Sequence, residues 1–483
     1  MSFDELLKSV YGKYIGFARP YDGFFFGSVT TDSRAVQPGS LFVPLIGEKQ
    51  DGHKYIPDAL KAGATVVFVS NSVYEKEPDL YLKYASEYLD RTFIAVQNNM
   101  AALQNAARAY VQKFPNLIKV AITGSSGKTT TKEILASVLR QKYKVVATEG
   151  NFNSETGLPL SVFNIRAEHE VGVFEMGMNR ENEIGEIARV LEPNYAIITN
   201  IGTAHIGILG SRENIAKEKR KIFSYINENG AAFVPDEDDF ADFISEGVKG
   251  KVVRFGKNVP ESKSGVSFVS NDGLDGTRFA IDGVETRLRF PGIYNYTNAL
   301  ACIALAKELG LSAGEIRAGI ESVKNVIGRS SVVAINTKKD SKGESKKVMV
   351  MYDCYNANPD SMEKAINLCG SLETKGRMIF VLGDMKELGE KSAEEHSRIG
   401  ALATLSKPDL IVFVGPEMEN GAKAAKLSGF DRVRYFSGAD VDAVSAFILD
   451  YAKDGDFILL KASHSMNFDL IAKKLDSGEA MPA

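Results

Sequence analysis

Cysteine is scarce: Cys302, Cys354 and Cys369 are the only three in 483 residues, and they form no CxxC pair. An odd, unpatterned set excludes a disulfide framework and a four-cysteine zinc site, and points to buried free thiols in a reducing cytoplasm. Long apolar runs are missing as well. Nothing approaches the ~18–20 residues of a membrane-spanning helix, so no membrane insertion is expected. The opening MSFDELLKSVYGKY places acids among its apolar residues and lacks the basic-then-apolar order of a secretory signal. Neither charge sign dominates: 58 Lys plus Arg against 62 Asp plus Glu leave a net charge of -4. So weak a balance offers no electrostatic reason for a nucleic acid or an anionic membrane as partner. No internal repeat occurs at solenoid or propeller periods.

What is present is ordinary globular material, 44% hydrophobic and 25% charged. At about 100–200 residues per domain the length predicts more than one domain, with three as the centre of the expectation. Boundaries near 97 and 328 divide the chain into 1–96, 97–327 and 328–483. In the first segment SLFVPLIG (40–47) and ATVVFVS (64–70) read as strands, with a short helix at 56–63 between them. An Ala-rich helix at 101–113 leads through Pro115 into a buried strand, 117–123. From there strand and helix alternate as in a doubly wound parallel sheet, with strands at 172–175 and 195–199 and helices at 181–191 and 212–228. Residues 251–290 read as a small antiparallel sheet, followed by a helix at 296–309. TKKDSKGESKK (337–347), with five lysines, reads as a solvated hairpin loop. Strands at 348–353, 377–382, 410–414 and 457–460 then suit a Rossmann-like unit. Ile327-Gly328 is the expected hinge between the second and third segments, because glycine tolerates large backbone changes.

The strongest local signal is Thr123-Gly124-Ser125-Ser126-Gly127-Lys128-Thr129-Thr130, between a buried strand and a helix with Ile134, Leu135, Val138 and Leu139 on one face. Phosphate binding needs inward-turned N–H groups, which glycines permit, a lysine for the terminal phosphates and a hydroxyl for magnesium. Ile122 stands where the full P-loop pattern has a further glycine, so only the shorter GxxGK[ST] form is present. Its strand–turn–helix setting makes it an ATP or GTP site. The absence of NKxD disfavours a guanine-specific GTPase, and missing HRD and DFG elements exclude a protein kinase. Glu175 ends the strand in VGVFEMGMN, at the sheet edge where open α/β folds bind ligands; it would bind magnesium or cap the next helix. His205 follows the next strand in ITNIGTAHIG, as a ligand or a structural residue. Lys217, Lys219, Arg220 and Lys221 read physically as a solvated basic face. Asp353 ends a strand in MYDCYNANPDSM, where Asn356 or Asn358 caps the helix that follows.

Taken together, TDSRAVQPGSLFVPLIGEKQDGHKYIPDALKAGA, TGSSGKTTTKE, EGNFNSETGLP, FEMGMN, ITNIGTAHI, PGIYNYTNALA, YNANPDSM and LGDMKELGE make the chain resemble the ATP-dependent Mur ligases of peptidoglycan synthesis. LGDMKELG and YNANPDSM point to the branch that adds D-alanyl-D-alanine, and the DNPR string of the branch adding diaminopimelate or lysine is absent. The resemblance implies three domains: an N-terminal one for the UDP-sugar end, a central P-loop ATPase domain, and a C-terminal Rossmann-like one for nucleotide and dipeptide. It implies an ATP- and Mg2+-dependent amide ligase of cell wall biogenesis, cell shape and division, acting as a monomer. Its small-molecule substrates would be UDP-N-acetylmuramoyl-tripeptide and D-Ala-D-Ala, joined through an acyl phosphate.

Carried over from the resemblance, Ser33 and Arg34 would contact the uridine diphosphate end. Lys128 and Thr129 would serve the phosphates and a first magnesium; Glu175 and His205 would bind a second. Lys219 matches the family lysine that can be carbamylated, with Lys217 as the neighbouring alternative. Asn295 would face adenine, while Arg329 and Asp353 would reach the nucleotide from the third domain. Two departures stand out: Tyr294-Asn295 where the family often has His-Asn, and Lys461-Ala462-Ser463-His464 where KGSR is common. A histidine lacks arginine's fixed fork of donors. A folylpolyglutamate synthase-like ligase is disfavoured by the DSR and LGDMKELG segments. A nucleotide-binding regulator without ligase activity is disfavoured by the presence of Lys128, Glu175 and His205.

Overall fold

The computed structural model describes residues 1–17, 26–324 and 328–480. Contacts gather these into two compact units: Met1–Ala121, Tyr143–Ala196 and Lys221–Ala231 form one, and Ile122–Lys142, Ile197–Arg220 and Ala232–Ala483 the other.

In the first unit a five-stranded sheet runs in the order Lys13–Ile15, Thr92–Val96, Val66–Ser70, Ser40–Phe42, Ser28–Thr30. The first pair is antiparallel and the remaining pairs are parallel. Val66–Ser70 and Thr92–Val96 are buried throughout, as near-continuous apolar runs in a covered parallel sheet should be. The strand expected over 40–47 stops at Phe42, two residues before Pro44, which has no N–H to continue a ladder.

A six-stranded sheet has the order Lys251–Phe255, Ala231–Pro235, Tyr195–Ile198, Ile118–Thr123, Val171–Glu175, Val145–Ala147. Its helices include Asn99–Val111, capped by Asn98, and Lys128–Leu139, which buries Ile134, Leu135, Val138 and Leu139 as the spacing predicts. The antiparallel sheet expected over 251–290 is smaller than that span. Three strands form it, Val266–Asn271, Thr277–Ile281 and Val284–Leu288, whereas Lys251–Phe255 is the edge of the six-stranded sheet. The helix expected over 212–228 is shorter too. Arg212–Lys219 passes into a 3-10 turn, Arg220–Phe223, whose Ile222 and Phe223 are buried.

The second unit also holds a seven-stranded sheet, ordered Val433–Phe436, Leu410–Val414, Met378–Gly383, Phe457–Lys461, Lys347–Asp353, Ser331–Thr337, Asp476–Ala480. The first four pairs are parallel and the last two pairs antiparallel, consistent with a Rossmann-like unit extended at one edge. Residues 338–346 do connect an antiparallel hairpin, but Lys346 is not solvated. Its ammonium pairs with Asp340 and donates to the Leu449 carbonyl. Of the expected hinge, Ile327 lies outside the described residues, and Gly328 has a φ of 83°.

The helix Ala313–Ser322 lies against Lys128–Leu139, with the Ser137 hydroxyl donating to Gly319 O at 2.7 Å. A Cβ at Gly319 would come within 2.8 Å of the Val138 nitrogen and closer to its Cα, whereas one at Gly314 would meet nothing within 4 Å. Gly319→Ala should therefore destabilise by about 1–3 kcal/mol through overpacking. Gly314→Ala should be neutral or stabilising by up to ~1 kcal/mol, as alanine in an exposed helix position is. Thermal melts of both variants test this, and equal effects would contradict the packing account.

Candidate active site

Strand Ile118–Thr123 delivers the chain to Gly124, and helix Lys128–Leu139 starts after Gly127, whose φ of 80° lies in the left-handed region. Neither glycine has room for a side chain. A Cβ on Gly124 would collide with the Thr199 hydroxyl, and one on Gly127 would lie 2.6 Å from Asn298 Oδ1. The loop is held from behind by the segment after the next strand. Asn200 accepts from Ser125 N–H on its backbone oxygen (3.1 Å) and from Ser126 N–H on its side-chain oxygen (3.0 Å). The Thr199 hydroxyl donates to Ser126 O at 2.6 Å, and Gly202 N–H donates to Ser125 Oγ at 2.9 Å. Lys128 Nζ bends back to Gly124 O at 2.9 Å, so its ammonium stands over the loop. First-turn amides have no partner within a helix, and with this lysine they suit an anion.

His205 follows this segment, at a φ of 65°. Its Nδ1 is 2.6 Å from Glu387 Oε2. The approach is set by backbone: Gly207 N–H donates to Glu387 O at 3.0 Å, and any side chain at Gly207 would strike the Glu387–Gly389 backbone. Burial pushes the His205 imidazole below its ordinary pKa, the Glu387 carboxylate pulls it back up, and Lys219 and Lys128 push it further down. Lys219 is fully buried, whereas Lys217, two residues earlier, is exposed. Burial, with the charge of Lys128 adding to it, drives the Lys219 amine well below the lysine range, towards its neutral form.

The segment YNANPDSM meets the same loop. Asn358, not Asn356, caps helix Pro359–Gly370, accepting from Ser361 N–H at 2.9 Å, and its amide reaches Ser125 O at 3.5 Å. Asp360 Oδ2 accepts from both Thr203 N–H (2.7 Å) and the Thr203 hydroxyl (2.8 Å). Lys364 Nζ lies 3.3 Å from Ser126 Oγ. Asp353 is engaged on both oxygens, by Ser330 N–H at 3.1 Å and by the buried Lys461 ammonium at 2.6 Å. Arg329 stacks its guanidinium 3.8 Å over the Tyr355 ring, and His464 faces the same ring at 5.8 Å. Tyr294 is half-buried, its hydroxyl 2.8 Å from Ser330 Oγ. Asn295 donates to Pro291 O at 2.7 Å and accepts from Asn298 at 3.2 Å, which leaves one N–H and one lone pair uncommitted by these bonds.

In the first unit, Glu175 ends strand Val171–Glu175 and is 1% exposed. Its carboxylate accepts from Asn153 Nδ2 at 2.6 Å, and its backbone N–H donates to Thr148 Oγ1 at 3.1 Å. Ser33 and Arg34 sit in a 3-10 turn capped by Asp32. The exposed Arg34 guanidinium makes a two-pronged pair with that aspartate, which holds the Asp32 carboxyl down at about 2.

Sequence reading singled out the glycine-bounded loop, His205 and Lys219 but not the residues that touch them. Asn200, Thr203, Asn298, Asp360, Lys364 and Glu387 touch the loop or its neighbours, and Asn153 touches Glu175. The sole forward signal was that some of them sit inside the motif strings; no spacing rule joins residues so far apart along the chain.

Three family descriptions match this chain: Mur ligase family, catalytic domain, over residues 26–111; Mur ligase middle domain over 122–306; and Mur ligase, glutamate ligase domain, over 340–464. The UDP-N-acetylmuramoyl-tripeptide--D-alanyl-D-alanine ligase of Treponema pallidum is 42% identical over 96% of this chain and 97% of its own. The Bacillus subtilis protein of that name is 34% identical over 94% of each. Among solved structures, MurF from Acinetobacter baumannii superposes with a TM-score of 0.82 at 28% identity, covering 98% of each chain. MurF from Thermotoga maritima, solved in complex with ADP, gives 0.72 at 27% identity, over 92% of this chain and 96% of that one.

The LGDMKELG segment depends on a neutral histidine. Buried His396 accepts from Met385 N–H on Nε2 at 2.9 Å and donates from Nδ1 to Ser392 O at 2.7 Å. Burial lowers its pKa, opposed by Ser392 O, Asp384 and Glu417 and assisted by Lys386. The unfolded chain therefore binds the proton more readily, so this contribution is present above the ordinary histidine pKa of ~6.5 and is lost as pH falls through it. His205 acts in the same direction. Melting temperature should drop between about pH 7 and pH 5, and His396→Gln, less stable at neutral pH, should show a flatter dependence; an unchanged slope would refute the assignment.

Proposed function

The chain belongs to the Mur ligase family, and on that premise we propose that its P-loop, Glu175, His205 and Lys219 form the catalytic machinery of a ligase joining D-alanyl-D-alanine to UDP-N-acetylmuramoyl-tripeptide. The enzyme uses ATP and Mg2+ and completes the pentapeptide precursor of peptidoglycan. The observation that carries the site assignment is the glycine-bounded cradle at Gly124–Thr130, with Lys128 folded over it and the buried, amine-favouring Lys219 acting on the same histidine.

A free carboxylate is a poor acceptor for an amine, because oxide is a poor leaving group. Transfer of the ATP γ-phosphoryl to the tripeptide's terminal carboxylate, with release of ADP, makes phosphate the leaving group. The D-Ala-D-Ala amine then attacks the carbonyl carbon, and the tetrahedral adduct breaks its bond to the phosphate oxygen. Positioning and charge neutralisation supply most of the acceleration in such reactions. Lys128 neutralises the phosphoryl group in flight, within a loop made of Thr123, Gly124, Ser125, Ser126, Gly127, Thr129 and Thr130. Thr129 would hold a first magnesium, and Glu175 and His205 would hold a second. No group of three or more His, Cys, Asp or Glu that could hold an ion unaided occurs among the described residues, and magnesium is commonly held by one or two carboxylates with substrate phosphates. Bound there, magnesium would offset the charge that develops on the oxygens.

Lys219 is assigned as a carbamate, a modification that needs a neutral amine. Asn295 serves adenine with its remaining N–H and lone pair; Arg329 and Asp353 serve the nucleotide, and Ser33 and Arg34 the uridine diphosphate. We assign 1–96 to the UDP-sugar, 97–327 to ATP, and 328–483 to nucleotide and dipeptide. No helix among the described residues is long and apolar enough to cross a membrane. The reading is completed by a monomer working in the cytoplasm, since every residue assigned comes from one chain and its nucleotide substrates are cytoplasmic.

Phosphate release in the presence of ATP, Mg2+ and UDP-N-acetylmuramoyl-tripeptide, carrying lysine or diaminopimelate, should require D-Ala-D-Ala; single amino acids should not replace it. Lys128→Ala should lower turnover by at least ~10²–10³-fold with an unchanged melt, and near-normal turnover would sink the ATP-site assignment. Lys219→Ala should lose most activity, recover part of it with a short carboxylic acid, and lose the carbamate signal that labelled bicarbonate gives in the parent protein. An active Lys219→Ala enzyme would refute the carbamate role.

A further inference from the structure

Helix Pro359–Gly370 carries a cation to the phosphate loop that neither the motif strings nor the chemistry above uses. Its first turn is fastened in two places: Asp360 takes both the N–H and the hydroxyl of Thr203, and the Asn358 amide reaches Ser125 O. The fit at Thr203 is close, because a side chain at Gly202 would run into the Asp360 carboxylate. One turn further on, Lys364 extends its ammonium to 3.3 Å from Ser126 Oγ, the residue before the left-handed Gly127.

Three carboxylates attract Lys364, but none pairs with its ammonium, which contacts Ser126 Oγ instead. Its neighbours are Asp360, Asp238, Glu363 and, as a like charge, Lys257. Asp360 is committed to Thr203, and Asp238 accepts from Ile201 N–H at 2.6 Å and from Phe240 N–H at 3.0 Å. Glu363 pairs with Arg398 at 2.8 Å. The ammonium therefore bonds to a neutral hydroxyl, and its burial pushes its pKa down. A hydroxyl returns little for desolvating a full charge, whereas a phosphate oxygen returns a charge-assisted bond.

We propose that Lys364 is a phosphate-binding residue for the nucleotide, delivered to the P-loop from the C-terminal segment and set in reach by the Asp360–Thr203 bond. It adds a second lysine to Lys128, approaching the same loop from another part of the chain. The inference rests on the ATP-ligase reading.

Equilibrium binding of Mg·ADP and of a non-hydrolysable Mg·ATP analogue to the full chain tests it. Lys364→Met should weaken both about tenfold or more, as loss of a charge-assisted bond does, while Lys364→Arg should retain most of the affinity. In steady state, KM for ATP should rise with kcat little changed, the pattern of a contact made equally in ground and transition states. Lys257→Met, which removes the other nearby ammonium, should bind nucleotide as the parent does. Thr203→Val should weaken binding less than Lys364→Met, since the backbone N–H still holds Asp360. Unchanged nucleotide affinity in a folded Lys364→Met protein, or equal losses in the Lys364 and Lys257 variants, would overturn the proposal. Failure of the parent to bind nucleotide would overturn the ligase reading as well, so the two failures are told apart.

Discussion

The turn Thr199–Gly202 is the constraint on which the site depends. It holds the glycine-bounded loop through hydrogen bonds that include two to Asn200, one from the Thr199 hydroxyl and one from Gly202. A loop that curls its amides around an anion must be kept open when nothing fills it. Bonds to the Thr199–Gly202 turn fix its backbone, so little reorganisation is left for the moment of binding. The two glycines follow from the same packing, because Thr199 and Asn298 occupy the space where their side chains would go.

The same turn is where the last part of the chain attaches. Asp360 fastens to Thr203, and Glu387 meets His205 and Gly207 within a few residues. YNANPDSM and LGDMKELG are thus two clasps on one short segment. This gives a physical reason for a glycine at 207 and at 389: the two backbones approach too closely for any side chain. His396 tightens the second clasp from behind by taking the Met385 N–H.

Basic groups in the second unit gather at the glycine-bounded loop and beside His205. Lys128 and Lys364 reach the loop from separate helices, and Lys219 and Lys128 both act on His205. Burial, with nearby like charge adding to it, lowers the proton affinity of Lys219 and His205. For Lys219 and His205 that favours the neutral forms, those able to take up carbon dioxide or to donate a lone pair to a metal. For Lys128, whose role is charge, contact with the Gly124 carbonyl keeps the ammonium hydrogen-bonded.

How much of this was legible in the sequence depends on the range of the interaction. The phosphate loop was, because strand, turn and helix are consecutive and the glycine requirement is local. The burial of Val66–Ser70, the face of Lys128–Leu139 and the alternation of the seven-stranded sheet were legible for the same reason: periodicity over a few residues reports which side meets the core. Lys217 and Lys219 could not be separated by pattern, since both are polar residues on one helix and only packing buries the second. Asp360 read as part of a helix start and Lys364 not at all, yet the first reaches Thr203 across 157 residues of chain and the second reaches Ser126 across 238. Local chemistry is written in consecutive residues. Which distant carboxylate takes the Thr203 N–H, and which ammonium stands beside Ser126, is decided only when two sheets have folded and their connecting loops compete for the same space.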